Sequence, residues 1–221
     1  MAAKNSKGVT ICVTKGGATP AALIPTGIAK ESSGKRSEIT VASVTGIVVG
    51  DLIKIPVAGT GFKELDGNSF IVASVGSGTF TLAGSDLTGT TGVLAASPSV
   101  QHYTKNDMVC LCLSDLKFNA EKGSTISVAT YCSPSASIPS ASTTAGTVDL
   151  AGFVDITAAD YVELLDAEVD GVERIFVVKL PSNGEIIFPG VVGSMAWQIP
   201  LDGAVSYEAS LSLGSRPRHL F

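Results

Sequence analysis

The chain has 221 residues, of which 45% are hydrophobic, 16% charged and 6% aromatic, and its formal net charge is −5. A net negative charge excludes a protein that grips nucleic acid by displacing its counterions, although like charges would let a polyanion pass such a surface without sticking to it. The charged fraction lies below the ~25% that is usual for soluble domains, which indicates that part of the surface meets other protein rather than water.

Targeting signals are missing from the sequence. No apolar run reaches the ~18 residues that a membrane span needs, and the start, MAAKNSKGVTICV, lacks the apolar core and cleavage site of a signal peptide. We therefore expect no membrane insertion and a chain that stays in the cytoplasm where it is made. In that reducing compartment, the cysteines are expected to be buried small hydrophobic residues rather than disulfides. They are Cys12, Cys110, Cys112 and Cys132.

The first half of the chain predicts a strand, a connection and a group of short strands. Residues 9–14, VTICVT, form a β-branched run that ends at a Gly- and Pro-containing breaker. Residues 15–37 mix Gly, Pro, Lys and Ser and predict a long connection or arm. Four strand candidates follow, with plausible tight hairpin turns at Asp66-Gly67 and Ser77-Gly78.

These short strands predict an inserted domain. We expect residues 36–104 to form a small β-domain inserted in a larger unit, which would consist of residues 1–35 and 105–221. The alternative is that the short strands belong to one larger sandwich.

Beyond the short strands, the pattern resumes as longer strands and a loop. Residues 108–118 and 124–132 are strand-like, and the second run alternates strictly between apolar and polar residues. Residues 133–147, SPSASIPSASTTAGT, form a low-complexity stretch that cannot bury enough apolar surface to order itself. We expect this stretch to be a loop that is mobile or ordered by a partner.

One segment, TAADYVELLDAEVDG, predicts an α-helix. Thr157 is the expected N-cap, Asp160 follows three residues later as in a capping box, and Gly171 is the expected left-handed stop. Helical spacing predicts one apolar stripe, which consists of Ala158, Val162, Leu165 and Val169. The carboxylates of the segment could form a catalytic pair or a cation site, but a solvated acidic face is expected because no basic residue or histidine accompanies them. They are Asp160, Glu163, Asp166 and Glu168.

The last third of the chain predicts further strands. Asn183-Gly184 between two β runs is a strong hairpin signal. After a turn at Asp202-Gly203, Val205, Tyr207 and Ala209 alternate with polar residues, as in a half-buried strand. The complete pattern predicts a mainly β fold with one helix.

No motif predicts catalysis, a cofactor or a metal ion. His102 and His219 have no sequence context of a zinc site or a catalytic triad. Cys110 and Cys112 have strand spacing and could begin a metal site, but core packing is expected because no second motif pairs with them. The C-terminal SRPRHLF is expected to be a frayed tail or a plug into a neighbouring subunit. We therefore expect no enzyme and assign no catalytic, cofactor-binding or metal-binding residue.

The order of three stretches carries a resemblance to a known family. They are the strand pair at residues 116–133, residues 146–155 with the acidic helix after them, and residues 177–217. In this order they resemble the major tail tube proteins of long-tailed, siphovirus-type bacteriophages. The resemblance covers residues 107–217, and the 36–104 domain is similar to small β-domains inserted in some of these proteins.

The resemblance implies a tail-tube-type β-sandwich with one flanking helix, of which six copies would close into a ring. Stacked rings would form the tube through which the genome leaves at ejection. Parts of residues 174–181, 185–199 and 204–213 would line its channel. The loop 133–147 and the arm 15–35 would contact neighbouring subunits and rings, and the inserted domain would project outward.

The implied partners are other copies of the chain and the tail-tip, tape-measure and tail-terminator proteins. Viral DNA would pass through the lumen without specific binding, and the implied location is the virion tail, made and assembled in the host bacterial cytoplasm. A type VI secretion-like tube protein is an alternative, which the inserted domain and the Ser/Thr loop disfavour. A carbohydrate-binding sandwich is another, although such sites stack sugars on exposed aromatic rings and this chain has one Trp.

Overall fold

The computed structural model describes ten stretches of the chain: residues 9–32, 34–57, 59–90, 92–96, 98–119, 125–130, 133–139, 146–180, 184–214 and 217–220. For residues 125–130, 133–139, 219 and 220 the description covers the backbone. The described chain is mainly β with one α-helix, which confirms the expected fold class.

The strands are numbered in chain order. They are β1 (Thr10–Thr14), β2 (Ala21–Leu23), β3 (Pro25–Lys30), β4 (Ser37–Val41), β5 (Leu52–Lys54), β6 (Ser69–Val75), β7 (Thr79–Leu82), β8 (Val100–Tyr103), β9 (Met108–Leu111), β10 (Leu113–Asn119), β11 (Thr125–Thr130), β12 (Ser133–Pro139), β13 (Thr147–Phe153), β14 (Arg174–Lys179), β15 (Glu185–Gln198), β16 (Ser206–Leu213) and β17 (Arg218–Leu220). The helix α1 is Ala159–Asp170, and a short 3-10 turn spans Lys105–Asp107.

The chain forms two compact units. The first unit comprises Met1–Leu111, Arg174–Phe188 and Pro217–Phe221, and the second comprises Cys112–Glu173 and Pro189–Arg216. The boundary within β15 falls between Phe188 and Pro189, so this long strand contributes to both units.

The stretch expected to be an arm contains strands. Residues 21–30 form β2 and β3, and these pair with β8 and β4 respectively. The arm prediction is therefore wrong for these residues, because their partners lie later in the chain and the local Gly and Pro content hides the pairing. The predicted split into an inserted domain, residues 36–104, between residues 1–35 and 105–221 stays a prediction.

A mixed set of early and late strands forms one sheet of the first unit. Strand β1 lies between β9 and β14, and the sheet continues from β14 to the first part of β15 and then to β17. Phe176 and Phe188 stack within this sheet with their ring centroids 5.4 Å apart. Five consecutive residues of β14, from Arg174 to Val178, are buried, so both faces of this strand are covered.

A disulfide joins β1 to β9. Cys12 and Cys110 lie directly opposite each other in the antiparallel register and are bonded to each other. The expectation of buried thiols is wrong for this pair, because the two residues are 98 positions apart and no local pattern shows that their strands are neighbours. It is also wrong for Cys112, which is exposed. Cys132 lies outside the described residues.

The short strands form a second sheet in the first unit, in the order β2-β8-β5-β6-β7-β4-β3. The predicted tight turn at Ser77-Gly78 is confirmed, since Gly78 has positive φ and lies in the short connection between β6 and β7. Gly67 also has positive φ, but the tight hairpin predicted at Asp66-Gly67 is wrong, because residues 55–68 separate β5 from β6. One side of this sheet covers a core of buried aliphatic and aromatic side chains that includes Phe70 and Phe80. On the other side, a smaller cluster of buried residues joins the sheet to β14 and β15. It contains Leu52, Ile71, Ile175, Val177 and Ile187.

The C-terminal residues are a strand of the chain itself. Strand β17 pairs with the first residues of β15, and the Arg218 guanidinium lies 4.4 Å from the centroid of the Phe70 ring. Burial lowers the pKa of Arg218. The prediction of a frayed tail or a plug into another subunit is therefore wrong for residues 217–220, because an edge of the chain's own sheet accepts them.

The second unit is an antiparallel sheet in the order β10-β13-β16-β15, with α1 packed on it. Tyr207 of β16 is 1% exposed and lies 5.4 Å from the Tyr161 ring of α1, centroid to centroid. Gly152 is the cross-strand partner of Tyr207, and a Cβ at Gly152 would lie 2.7 Å from the phenol ring. Glycine therefore makes room for the ring that joins the sheet to the helix.

The helix ends where the sequence predicts, but it buries another stripe. Gly171 is left-handed, with φ of 60°, which confirms the predicted stop. The buried residues of α1 are Tyr161, Leu164 and Ala167, whereas Val162 and Val169 are 40% and 86% exposed. The predicted stripe is therefore wrong. Two stripes fit the helical period, and the one containing Tyr161 is buried because its ring reaches the aromatic side chains of the sheet.

The start of the helix also differs from the prediction. Ala158 is the N-cap and makes no side-chain capping bond. The Thr157 hydroxyl instead donates to the Asp155 carboxylate over 2.7 Å. Asp160 does not complete a capping box, because its carboxylate accepts a hydrogen bond from the Cys112 backbone N–H over 2.8 Å. Asp160 therefore ties the helix to the segment that enters β10.

Two loop predictions concern stretches that are partly outside the described residues. Strands β11 and β12 form an antiparallel hairpin, so residues 133–139 of the predicted loop 133–147 are a strand. Residues 140–145 lie outside the described residues. Asn183 of the predicted hairpin also lies outside them, whereas the Leu180 N–H donates to the Gly184 carbonyl over 2.8 Å between β14 and β15.

The corrected helix packing is testable by truncation. We expect Leu164→Ala to lower the free energy of unfolding by about 2–5 kcal/mol, because it removes buried methyl groups and leaves a cavity. The matched control Val169→Ala changes an exposed residue of the same helix. It should alter the free energy of unfolding by less than about 0.5 kcal/mol. Urea denaturation followed by circular dichroism measures both. Equal losses would contradict the packing described here.

Candidate assembly surfaces

A buried acid–histidine pair is the closest approach to a catalytic arrangement in the described residues, and it lies inside the first unit. His102 Nε2 is 2.8 Å from Asp51 Oδ2, and their side chains are 5% and 0% exposed. The same carboxylate oxygen accepts the Val48 backbone N–H over 2.9 Å. Because solvent and substrate do not reach this pair, its role is to satisfy polar groups within the fold. Sequence reasoning missed it, since the partners are 51 residues apart and meet through the pairing of β5 with β8.

Groups with shifted pKa values are scattered over the two units. Burial raises the pKa of Glu185 in the first unit, and nearby Lys179 partly opposes that shift. In the second unit, burial raises the pKa of Tyr207, and the Asp160 charge adds to the effect. Hydrogen bonds from Thr157 lower the pKa of Asp155. No nucleophile and base are brought together by these groups within the described part of the chain.

Metal and membrane sites are also missing from the described ranges. No group of three or more His, Cys, Asp or Glu side chains is arranged there to hold a metal ion. No helix there is both long enough and apolar enough to cross a bilayer. The side chain of His219 lies outside the described residues.

The second unit presents an acidic sheet face opposite its helix. Asp115 of β10, Ala151 of β13 and Glu208 of β16 form one cross-strand row. The adjacent row runs from Lys117 through Asp149 to Ser210 and is tied together by hydrogen bonds. An open cleft of about 330 Å³ lies on this face. We call this surface, defined by Asp115, Lys117, Asp149, Glu208 and Ser210, the acidic face.

Asp149 is the most connected residue of the acidic face. Its carboxylate accepts the Asn119 side-chain amide over 2.6 Å and the Ser210 hydroxyl over 3.2 Å. Glu208 accepts the Gln198 amide over 3.2 Å. These bonds run across the strands, so they hold the carboxylates in place on a rigid sheet. The alternation of polar residues along β16 was visible in the sequence, whereas the contribution of β10 and β13 depended on the strand order.

Two edge strands of the described residues, β10 in the second unit and β9 in the first, are candidate sites of pairing with another chain. In the described part of the second unit, β10 hydrogen-bonds to β13 on one side. This pairing has a register shift between Leu113 and Asp115, and the strand carries the charged residues Asp115 and Lys117. Charge and bulges are the usual protection of an edge strand. In the described part of the first unit, β9 pairs with β1 on one side. Because β9 (MVCL) contains no charge and no proline, it is the less protected edge.

Known proteins provide a weak likeness. No family model and no curated protein matches the chain. Among solved structures, the chain is similar at 19% identity to a chain from the tail of an empty gene transfer agent particle, described with C6 symmetry. The match covers 48% of this chain and 79% of that one, with a TM-score of 0.36.

A second similar chain comes from the virion of a native gene transfer agent particle. It is 19% identical, the match covers 49% of this chain and 85% of that one, and the TM-score is again 0.36. A TM-score below 0.5 does not establish a common fold, so neither likeness carries an argument about this chain.

The structural role of the buried pair can be tested by removing one partner. We expect His102→Leu to lower the free energy of unfolding by about 3–5 kcal/mol, because it leaves the Asp51 carboxylate buried without its partner. Gln101→Leu, at the adjacent half-buried position of β8, is the control and should change it much less.

A double-mutant cycle separates the pair from the packing around it. Asp51→Leu combined with His102→Leu should cost less than the sum of the two single changes, because no unpaired charge remains buried. Additive losses in urea denaturation would show that the two side chains act independently.

Proposed function

We propose that the chain is a structural protein of a phage-like tail, whose copies assemble into hexameric rings that stack into a tube. The order of segments that resembles tail tube proteins supports this proposal. The observation that carries it is the second unit, in which one sheet face packs on α1 and the other is an acidic face whose carboxylates are held by hydrogen bonds. Such a sheet is suited to forming a wall rather than a reaction site.

The acidic face is the proposed lining of the channel. Three carboxylates and one lysine give this face a net negative charge, and like charges repel the DNA backbone. A repulsive lining would let the genome move through the tube without being held. In this arrangement β10, β13, β15 and β16 supply the lining, and β14 does not, because its residues are buried in the first unit.

The proposed partners are other copies of the chain, together with tail-tip, tape-measure and tail-terminator proteins. Edge pairing is the proposed mode of joining copies, because a neighbour's strand can satisfy the unpaired backbone groups of an edge such as β9. The chain would act without a cofactor and without enzymatic activity. The proposed location is the virion tail, after synthesis and assembly in the host bacterial cytoplasm.

Assembly is the primary test of this proposal. We expect the purified chain to form hexamers, rings or tubes at high concentration without any added cofactor, because the joining surfaces belong to the chain itself. Sedimentation velocity and negative-stain electron microscopy measure the species. A chain that stays strictly monomeric at every concentration tested would contradict the proposed function.

Reversing the charge of the acidic face tests the lining. Asp115→Lys combined with Glu208→Lys should make assembled tubes retain short duplex DNA in a nuclease-protected and salt-sensitive form, because basic residues displace counterions from phosphates. The control, Asp166→Lys with Asp170→Lys, makes the same charge change on α1. DNA bound outside a tube would be digested. If DNA on the Asp115/Glu208 variant is as exposed to nuclease as on the control, the acidic face does not line the channel.

A further inference from the structure

Opposite charge is separated between the two units of the chain. The first unit contains twelve basic and eight acidic residues, for a net charge of +4, and the second contains three basic and twelve acidic residues, for a net charge of −9. These values add up to the −5 of the whole chain. The sequence from residue 123 to 173 and from 180 to 215 contains no lysine or arginine. The second unit is therefore acidic over most of its length.

Five large apolar side chains are exposed at one end of the sheet in the second unit. At this end β13 finishes, β16 begins and β15 finishes, as the register of Phe153 and Gln198 with Ser206 shows. The connecting segments start there, and the Val154 N–H donates to the Val205 carbonyl over 2.9 Å. The exposed side chains are Phe153 (57%), Ile156 (76%), Trp197 (47%), Ile199 (78%) and Leu201 (106%). We call this group the end patch.

The end patch includes side chains from both faces of the sheet. Trp197 lies in register with Tyr207, on the face that packs on α1, whereas Phe153 lies in register with Ser206 on the opposite face. One anchor of the patch is held rigidly, since the Trp197 indole N–H donates to the Tyr161 hydroxyl over 2.8 Å. A preorganised aromatic residue of this kind is typical of the energetic centre of an interface.

The rim of the end patch is acidic. Asp155 follows β13 beside Phe153, and Asp202 follows Leu201 in the turn before β16; both are exposed. A matching surface must therefore combine apolar groups with positive charge. Two end patches facing each other would bring two units of −9 together, and their repulsion opposes such a symmetric dimer.

We propose that the end patch docks on the basic first unit of a second copy of this chain. The inference rests on the proposed function, since it adds a second contact between copies to the proposed edge pairing. The first unit supplies the required chemistry, with its net charge of +4 and exposed apolar residues such as Val57 (86%) and Val93 (85%). Because the two docking surfaces differ, the contact is head to tail, and repeated contacts of this kind close into rings or extend into filaments.

The test compares association of the full-length chain with that of two double variants. Ile199→Asp with Leu201→Asp places charge in the end patch, and Val169→Asp with Val172→Asp is the matched control at exposed positions in and just beyond α1. We expect the patch variant to weaken association on the order of 100-fold in sedimentation, because two apolar groups are lost from the contact. The control should associate like the unmodified chain.

The result distinguishes the interface from the proposed function. If the unmodified chain and both variants associate equally, the end patch is not the interface, while the proposed function stands. If the unmodified chain itself never associates, both proposals are overturned. Circular dichroism confirms that each variant is folded. Should the double variant unfold, Leu201→Asp alone replaces it, because this side chain is fully exposed, and a loss of about 10-fold is then expected.

Mixing and salt test the head-to-tail geometry. The patch variant keeps an unchanged first unit, so a small fraction of it should bind the end patches of the unmodified chain and shorten its assemblies. Raising NaCl from about 0.05 M to about 0.5 M should weaken association, because salt screens exposed charges. Assemblies of unchanged length, or association that strengthens with salt, would overturn docking of the acidic end on the basic unit.

Discussion

The architecture of the second unit depends on the packing of Tyr207 between Gly152 and Tyr161. The phenol ring is 1% exposed, and the glycine opposite it leaves the space that a Cβ would occupy. Since side chains alternate along a strand, the register that places Tyr207 against the helix also places Glu208 on the opposite face. A slip of one residue would expose the ring and bury the carboxylate. The packing of the helix on the sheet and the acidic face on the other side therefore both follow from the register of β16.

The separation of charge is the second constraint on the molecule. The carboxylates of the second unit, whose net charge is −9, repel one another, which lowers the stability of its compact state. The second units of two copies also repel each other, which disfavours symmetric contacts between them. The same charge favours a partner surface of opposite sign, and the first unit of another copy has that sign. The proposed channel lining and the proposed docking of copies therefore both depend on the excess of carboxylates in the second unit, but on different carboxylates. One group faces the proposed channel, and the other surrounds the end patch.

The first unit is held together by contacts between residues that are far apart in the chain. Cys12 is joined to Cys110, Asp51 to His102, and the Arg218 guanidinium covers the Phe70 ring. Each contact requires strands from distant parts of the sequence to become neighbours. Local propensity contains no information about such neighbours, so these three features could not be predicted from it. The predictions of buried thiols and of a frayed C-terminal tail were wrong for this reason.

The sequence by itself determined the mainly β class, several strands and turns, and the end of the helix at Gly171, because alternation, glycine conformation and helical period act over a few residues. It also showed the polar alternation around Glu208. Only the tertiary structure decided which helix stripe is buried, since two stripes fit the period and the aromatic rings of the sheet select the one with Tyr161. Strand order likewise decided that Asp115, Asp149 and Glu208 share one face, because pairing between distant strands is a property of the folded chain rather than of any local segment.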